Sequence, residues 1–171
     1  QNRRILIDPG TLLFEKELLE KHWKDIDAIL VTHKHADHCN SEAIRAIMGL
    51  RRAKLFSTKE VAEFYPELAV TKVKEGDVFT LGEISIEVVK AVHGYSPALR
   101  GAKEIHENIG FILADGKTRV YVTSDTVSFR NEYRCDVLCV PVSNHGLVMG
   151  PFEAALFAKE TGAKIVIPIH C

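Results

Sequence analysis

Long apolar runs and an excess of charge of one sign are both missing from this sequence. No apolar stretch approaches the roughly 18 to 20 residues that cross a bilayer, and residues 1–7 lack the layout of a signal peptide. The 22 basic and 23 acidic residues give a net charge of -1, which argues against a broad surface for nucleic acid or anionic lipid. We therefore expect a cytoplasmic protein with neither a membrane nor a nucleic-acid partner.

Cysteine is also scarce, and its spacing forms no recognisable site. The four thiols include no CxxC pair and no spacing typical of a secreted disulfide framework: Cys39, Cys135, Cys139 and Cys171. Cys135 and Cys139 flank an apolar run in which alternation can put both on one face. We expect reduced thiols packed in the core, with a metal role as the alternative.

The apolar pattern predicts one domain over residues 1–171, because this length can bury a sizeable core. Strands alternate with helices at both ends of the chain. Strands dominate the middle, where residues 70–92 are typical of a meander. This interleaving favours sheets packed face to face with helices outside, an α+β class. Residues 93–107 show no period and contain Gly and Pro, which predicts a long loop.

Metal-competent side chains are concentrated in residues 32–38, the string THKHADH, which follows an apolar strand. Three imidazoles and a carboxylate this close must be hydrated, paired or bound to a metal. In extended backbone His33 and His35 project to the same side and can reach one ion. Asp37 and His38 follow where the chain turns, and they can face a second ion.

Three further strands end in residues that can bind metals, namely His93, Asp125 and His170. A single residue of this kind is more often a buried polar group with an ordinary partner. Three such strand ends, in a chain that already has the histidine string, favour a shared metal centre instead. A centre that keeps a position open for water is typical of catalysis.

Taken together, these residues resemble the metallo-β-lactamase-fold hydrolases. The resemblance rests on the HxHxDH string, the later histidine, the aspartate in a Ser-Asp-Thr string and the histidine after the last strand. Residues 144–155, with 162–164 and 168–170, are similar to small metal-dependent hydrolases related to L-ascorbate 6-phosphate lactonase. The resemblance covers almost the whole chain. It implies a four-layer α/β-β/α sandwich of two mixed β-sheets, face to face, with helices on the outside.

The resemblance also implies the ligands of a binuclear centre with two divalent metal ions. One ion would have three histidine ligands, the other an aspartate and two histidines, and a second aspartate would bridge: His33, His35 and His93; Asp37, His38 and His170; Asp125. Zinc suits imidazole, while the carboxylates also accept manganese, iron or nickel. Asp8 would support the ligands from an early strand, although its place before Pro9 and Gly10 is equally typical of a turn.

The chain departs from the family pattern in two ways. Ser124 stands before the bridging aspartate where the family usually has Gly, a change that tests backbone freedom at that position. The family also begins with a strand hairpin before Ile5 and commonly continues past the last histidine, so the chain is either a minimal version or a trimmed one. A missing hairpin would expose a sheet edge that a homo-oligomer or a further segment would cover.

Two neighbouring cations would lower the pKa of a shared water. The resulting hydroxide would attack an ester, lactone, amide or phosphodiester bond of a small substrate, and phosphorylated molecules are among the candidate substrates. Asp37 is a candidate catalytic ligand. His145 could bind the oxyanion or protonate the leaving group, with a solvated loop histidine as the alternative. Further candidates for substrate binding are Asn144, Tyr95 and Arg100. The alternative is that they are ordinary polar residues of solvent-exposed loops.

Other activities stay open on the sequence alone. A mononuclear iron oxidoreductase on the same fold is one, although the full second ligand set counts against it. A non-catalytic metal-binding or assembly protein is another, because a ligand set does not establish turnover. Nucleic-acid processing is disfavoured by the neutral charge. Alternation also places Lys34 opposite His33 and His35, toward solvent.

Overall fold

The computed structural model of the protein describes residues 3–11, 19–50, 52–94, 106–145 and 147–170. The chain divides into two compact units, Gln1–Lys74 and Glu75–Cys171, and each unit contains one β-sheet. Within these described ranges, no helix is both long enough and apolar enough to cross a membrane.

The first unit alternates strands and helices around a four-stranded sheet. Its elements, in chain order, are β1 (Ile5–Ile7), α1 (Leu19–Trp23), β2 (Ala28–Leu30), α2 (Ser41–Leu50), β3 (Lys54–Ser57), α3 (Lys59–Phe64) and β4 (Val70–Lys72). The sheet order is β1-β2-β3-β4, and every neighbouring pair is parallel. The described part of this sheet is therefore parallel throughout, and the mixed character that the resemblance implied is found only in the second sheet.

The core of the first unit explains why its parallel strands are short and apolar. All three residues of β2 are fully buried, which is typical of a parallel strand that is covered on both faces. Asn40 caps the beginning of helix α2, since its side chain accepts a hydrogen bond from Ala43 N at 3.2 Å. Ile44 and Ile47 of this helix pack in one apolar cluster with Leu55 of β3.

The second unit is a mixed six-stranded sheet with one helix among its described residues. Its elements are β5 (Val78–Leu81), β6 (Ile84–Lys90), β7 (Ile109–Ala114), β8 (Arg119–Val122), β9 (Val137–Pro141), α4 (Pro151–Thr161) and β10 (Ile165–Ile169). The sheet order is β10-β9-β8-β7-β6-β5. Strands β5 to β8 pair antiparallel, whereas β8, β9 and β10 pair parallel.

The predicted meander over residues 70–92 is wrong in its first strand. Strand β4 pairs parallel with β3, with Leu55 opposite Val70, and Val73 N donates to Ser57 O beyond it. Only β5 and β6 form the expected hairpin. Alternation along a sequence indicates a strand but does not identify its partner, which tertiary packing decides.

Helix α4 has residues at both termini that favour a helix beginning and a helix end. Pro151 occupies the first turn, and the Glu153 side chain accepts a hydrogen bond from Gly150 N at 3.1 Å. Gly162 ends the helix in the left-handed conformation, at a φ of 70°. The buried face of α4 places Phe157 in one apolar cluster with Tyr121 of β8.

Candidate metal centre

The Asp8 carboxylate joins two neighbouring strand ends in the first unit. Because β1 and β2 are parallel, Asp8 after β1 lies at the same sheet edge as Thr32 after β2. One carboxylate oxygen accepts a hydrogen bond from Thr32 N at 2.8 Å. The other lies 2.8 Å from both the Thr32 hydroxyl and His38 Nδ1. A single side chain therefore orients the beginning and the end of the histidine string.

These hydrogen bonds determine which ring nitrogen of His33 and of His38 carries the hydrogen that is donated to the supporting oxygen. A carboxylate only accepts, so His38 must donate to Asp8 through Nδ1–H, and in the neutral ring the lone pair is then on Nε2. Thr32 donates its single hydroxyl hydrogen to Asp8, so it accepts from His33 Nδ1–H at 3.0 Å. His33 Nε2 is then also a lone-pair donor. Support of Nδ1 by a hydrogen bond is the usual arrangement of histidines that bind metal through Nε2.

The described histidine string forms a compact donor cluster. His33 Nε2 lies 3.1 Å from His35 Nδ1, and the rings of His33 and His38 have centroids 4.3 Å apart. Asp37 Oδ2 lies 3.6 Å from His38 Nε2. Imidazole nitrogens and a carboxylate at such spacing are the donors that zinc, manganese and iron accept. The cluster is able to bind a metal ion.

A loop from β1 supports the second half of the string. Pro9 O accepts a hydrogen bond from Asn40 N at 2.9 Å, and Thr11 N donates to Ala36 O at 3.1 Å. Gly10 lies between these contacts, and a Cβ added there would be 1.7 Å from the Asp37 carbonyl oxygen. Only glycine allows the two loops to approach this closely.

Alternation predicted that Lys34 extends into solvent, and the structure shows that this prediction is wrong. Its Nζ lies 2.8 Å from Glu60 Oε1 and 5.3 Å from the ring centroid of Phe64, both on α3. The Tyr65 hydroxyl donates to Lys34 O at 3.2 Å. Alternation carries no information on the helix that packs against this side chain.

In the second unit three ligand candidates lie at one edge of the sheet. Strands β6 and β8 are both antiparallel to β7 and so run the same way, and β10 is parallel to β8 through β9. His93, Asp125 and His170 follow the carboxyl ends of these three strands. His93 and Asp125 are buried, being 5% and 2% exposed.

His170 and Asp125 form a contact that is positioned by Ser143. His170 Nε2 lies 3.2 Å from Asp125 Oδ2. Ser143 Oγ donates to His145 O and lies 3.0 Å from His170 Nδ1, so it accepts from His170 Nδ1–H. Nδ1 is therefore the nitrogen of His170 that a hydroxyl supports, as in His33, and Nε2 faces the Asp125 carboxylate.

Thr126 fixes the segment after Asp125 relative to the end of β6. Its hydroxyl accepts a hydrogen bond from Val92 N at 2.9 Å, and Val127 N donates to Val92 O at 2.8 Å. Met149 N donates to Thr126 O at 2.9 Å. These hydrogen bonds fix the backbone before His93 against the backbone after Asp125.

Three of the strand-end residues adopt the left-handed backbone conformation, which is unfavourable for a side chain. Asp8, Ser124 and His170 have φ values of 49°, 65° and 50°. Each such residue costs on the order of 1 to 2 kcal/mol and persists where its surroundings determine it. Strained positions of this kind are common at functional sites, and here they lie at or beside the candidate ligands.

Of the residues predicted to act on the substrate, the structure describes His145 and Asn144. His145 is exposed, and its backbone N and O both bond to Ser143 Oγ. The Asn144 side chain lies against Gly150, where an added Cβ would be 1.9 Å from Asn144 Oδ1. Tyr95 and Arg100 lie outside the described residues.

Sequence reasoning missed the neutral residues that hold the candidate ligands. Four of these residues form hydrogen bonds with a candidate ligand or with the backbone beside it: Thr32, Ser143, Thr126 and Asn108. Hydroxyl and amide residues are common throughout proteins, so their type alone gives no signal. Their position within two residues of a candidate ligand could have indicated Thr32 and Thr126.

Cys39 and Cys135 pack in the core as the sequence predicts, whereas Cys171 lies outside the described residues. Cys39 and Cys135 are buried in the apolar clusters of the first and second unit, and Cys139 is half-buried. Burial raises the pKa of the Cys39 thiol to about 12, and burial also raises the pKa of Cys135 and Cys139. Protonated thiols of this kind are poor metal ligands.

Known proteins share both the sequence pattern and the fold. Residues 3–171 match the family model of a beta-lactamase superfamily domain. A UPF0173 metal-dependent hydrolase of Korarchaeum cryptofilum is 28% identical over 179 residues, which cover 99% of this chain and 76% of that protein. A solved structure from Parabacteroides distasonis, provisionally assigned as a metal-dependent hydrolase, matches with a TM-score of 0.81 and 25% identity. The match covers 99% of this chain and 75% of that one.

A more distant structure shows how broadly the fold is used. CmlA, a diiron beta-hydroxylase from Streptomyces venezuelae, matches with a TM-score of 0.71 at 14% identity, over 97% of this chain and 41% of its own. Similarity at this level concerns the fold alone. Together the matches confirm the predicted α+β fold class and the resemblance to metallo-β-lactamase-fold hydrolases.

Proposed function

Because this chain belongs to the beta-lactamase superfamily and is a metal-dependent hydrolase, we propose that it uses two divalent metal ions to hydrolyse an ester, lactone or phosphodiester bond of a small molecule. The observation that carries the proposal is the orientation of His33, His38 and His170. In each of them Nδ1 has a hydrogen-bond partner outside the ligand set, so Nε2 is the ring nitrogen that faces another candidate ligand.

The proposed ligands are the seven residues that the sequence resemblance implies. His33, His35 and His93 would hold one ion, Asp37, His38 and His170 would hold the other, and Asp125 would serve both. When bound, such ions lower the pKa of a coordinated water toward neutrality and polarise the bond that is cleaved. Zinc fits the histidine-rich set, and manganese, iron or nickel also fit it because of the carboxylates.

The chain's own residues have distinct tasks in this proposal. Asp8, Thr32 and Ser143 hold the histidine rings in the orientation that binding requires. Asp37, whose side chain is 45% exposed, accepts a proton from the attacking water. His145, exposed on the loop that carries Ser143, donates a proton to the leaving group.

The thiols support a cytoplasmic location for this activity. Cys39, Cys135 and Cys139 are free in the structure. Free thiols are the rule in the reducing cytoplasm, where disulfides rarely persist. We propose that the substrate is a small molecule of that compartment.

Metal analysis and turnover together test the proposed function. The protein is purified without chelator, its metal content is measured by mass spectrometry, and zinc, manganese, iron or nickel is added to a panel of ester, lactone and phosphodiester substrates. We expect two metal ions per chain and turnover that the variant Asp125→Asn abolishes while circular dichroism shows a folded protein. The control is Asp115→Asn, which changes a carboxylate in the turn between β7 and β8. This variant should retain both the metal content and the turnover of the wild type.

Other results would point to other functions. Metal content well below one ion per chain, with no turnover after any metal is added, contradicts the proposal. A single iron with oxygen consumption would favour an oxidoreductase. Stable metal binding without turnover of any substrate would favour a metal-binding or assembly protein.

A further inference from the structure

Ser124 occupies a backbone conformation that its side chain disfavours. It lies directly before Asp125, has a φ of 65°, and is 1% exposed. In this region a Cβ crowds the following carbonyl oxygen, whereas glycine has no such conflict. A serine keeps this conformation only when neighbouring groups hold it there. The structure identifies those groups.

The side-chain amide of Asn108 contacts both sides of the bond between Ser124 and Asp125. Ser124 Oγ donates to Asn108 Oδ1 at 2.8 Å, and Asn108 Nδ2 donates to the carbonyl oxygen of Asp125. Asn108 is 7% exposed, so these hydrogen bonds form in an interior where water competes little. The amide fixes the serine side chain and the aspartate backbone at once.

The sheet register explains why Asn108 is in reach. In the antiparallel pairing of β7 with β8, Phe111 lies opposite Val122. The same register, extended past the ends of both strands, places Asn108 opposite Asp125. The beginning of β7 therefore supports the turn that follows β8.

We propose that Asn108 is a positioning residue that sets the location of the Asp125 carboxylate by holding Ser124 in the left-handed conformation. The inference rests on the proposed function, in which Asp125 is a metal ligand. A rotation of the backbone at residue 124 would move the Asp125 carboxylate away from His170 Nε2, to which it now lies at 3.2 Å. Asn108 itself does not touch the substrate or the metal.

Zinc affinity and a metal-free crystal structure test this role. In Asn108→Ala the Asp125 carboxylate should be displaced in crystals grown without metal. Calorimetric titration should show zinc binding roughly 10- to 100-fold weaker, the usual effect of losing a residue that supports a ligand. The matched control is Asn131→Ala, which removes another asparagine that is 7% exposed and whose side chain bonds to Tyr133 N. The control should lose stability but keep zinc affinity.

A second pair of variants tests the same idea without removing Asn108. Ser124→Ala and Ser124→Gly both lose the hydroxyl, but only alanine keeps the Cβ that disfavours this conformation. Zinc should therefore bind more weakly to Ser124→Ala than to Ser124→Gly. Adding Ser124→Gly to Asn108→Ala should restore much of the lost affinity, because glycine needs no support there.

The outcomes separate this inference from the proposed function. An unmoved Asp125 carboxylate in Asn108→Ala, or equal zinc affinities for the two Ser124 variants, would overturn the inference. A wild-type protein that binds zinc but hydrolyses no substrate would overturn only the proposed function. If the wild-type protein bound no metal at all, the metal-free structure of Asn108→Ala would still decide whether Asn108 positions Asp125.

Discussion

His38 Nδ1 lies 2.8 Å from Asp8 Oδ2, and the same oxygen accepts the hydroxyl hydrogen of Thr32. Asp8 follows β1, while His38 and Thr32 come from the loop after β2, so one carboxylate links two parallel strand ends. Since a carboxylate can only accept hydrogen bonds, it fixes the protonated nitrogen of His38 directly and that of His33 through Thr32. The orientation of two candidate ligands depends on this one side chain.

The first prediction concerns the change Asp8→Asn. Asparagine has one acceptor oxygen where aspartate has two, so the amide nitrogen must face the donor hydrogen of either Thr32 N or His38 Nδ1, and the support of the histidine string is weakened. We expect zinc affinity, measured by calorimetric titration, to fall roughly 10- to 100-fold. Asp115→Asn should leave zinc affinity unchanged, because Asp115 accepts from backbone N–H groups of its own turn. Equal effects of the two variants would contradict the prediction.

The order of helices and strands could be predicted because each follows from local pattern. Asn40 caps the beginning of α2 and Gly162 ends α4, the roles that these residue types commonly have at helix termini. The partner of β4 could not be predicted, since pairing with β3 depends on which surfaces pack together. Periodicity describes a segment and its faces, whereas pairing is a property of the whole unit.

The candidate ligands could be named from sequence because histidine and aspartate at strand ends are chemically conspicuous. The groups that orient them could not, because Ser143 and Asn108 become informative only through distances that folding creates. Ser124 is an intermediate case. The sequence marks it as a position of backbone freedom, but its support by Asn108 needs the register of β7 against β8.

The second prediction concerns the close approach of Gly10 to the Asp37 backbone. A Cβ in Gly10→Ala would lie 1.7 Å from the Asp37 carbonyl oxygen, so one of the two loops must move. We expect a loss of about 1 to 3 kcal/mol in the free energy of unfolding, measured with urea, together with weaker zinc binding. Gly49→Ala is the control. A Cβ there meets nothing within 4 Å and lies in α2, so it should be neutral or stabilise by up to about 1 kcal/mol.

The third prediction concerns the buried hydroxyl of Tyr121. The residue is fully buried, and its hydroxyl has no hydrogen-bond partner among the residues that the structure describes. Such a group costs about 1 to 3 kcal/mol, so Tyr121→Phe should be neutral or more stable by about 1 kcal/mol in urea unfolding. The neighbouring Tyr133 hydroxyl accepts a hydrogen bond from Lys90 N at 3.1 Å, and Tyr133→Phe should lose about 1 kcal/mol. The opposite ranking of the two variants would refute this assignment.

The fourth prediction is a pH dependence of stability that comes from Asp136. The hydrogen bond from Arg119 N, and then that from Lys164 Nζ, lower the pKa of the Asp136 carboxyl. Because the pKa is lower in the folded state, the unfolded chain takes up its proton first as the pH falls. The stabilisation is therefore complete above the ordinary pKa of about 3.9 and disappears as the pH falls through the folded value.

Thermal unfolding of the wild type and Asp136→Asn can check this sign. The difference between their midpoints should be constant from about pH 5 to 7 and should shrink below about pH 4. Lys164→Met should reduce the pH dependence less than Asp136→Asn does, because the Arg119 N–H bond remains. A difference that stays constant down to the lowest pH would show that Asp136 does not contribute in this way.

The last prediction assigns a role to His145 that is separate from metal binding. Ser143 contacts His145 only through backbone N and O in the described structure, so His145→Ala should preserve the support of His170 by Ser143. Zinc content should then equal that of the wild type, while kcat falls roughly 100-fold or more because a proton donor is lost. KM should change little, and added imidazole should restore part of the rate. An unchanged kcat would assign His145 to the solvated surface, and a loss of zinc would place its effect in the metal centre instead.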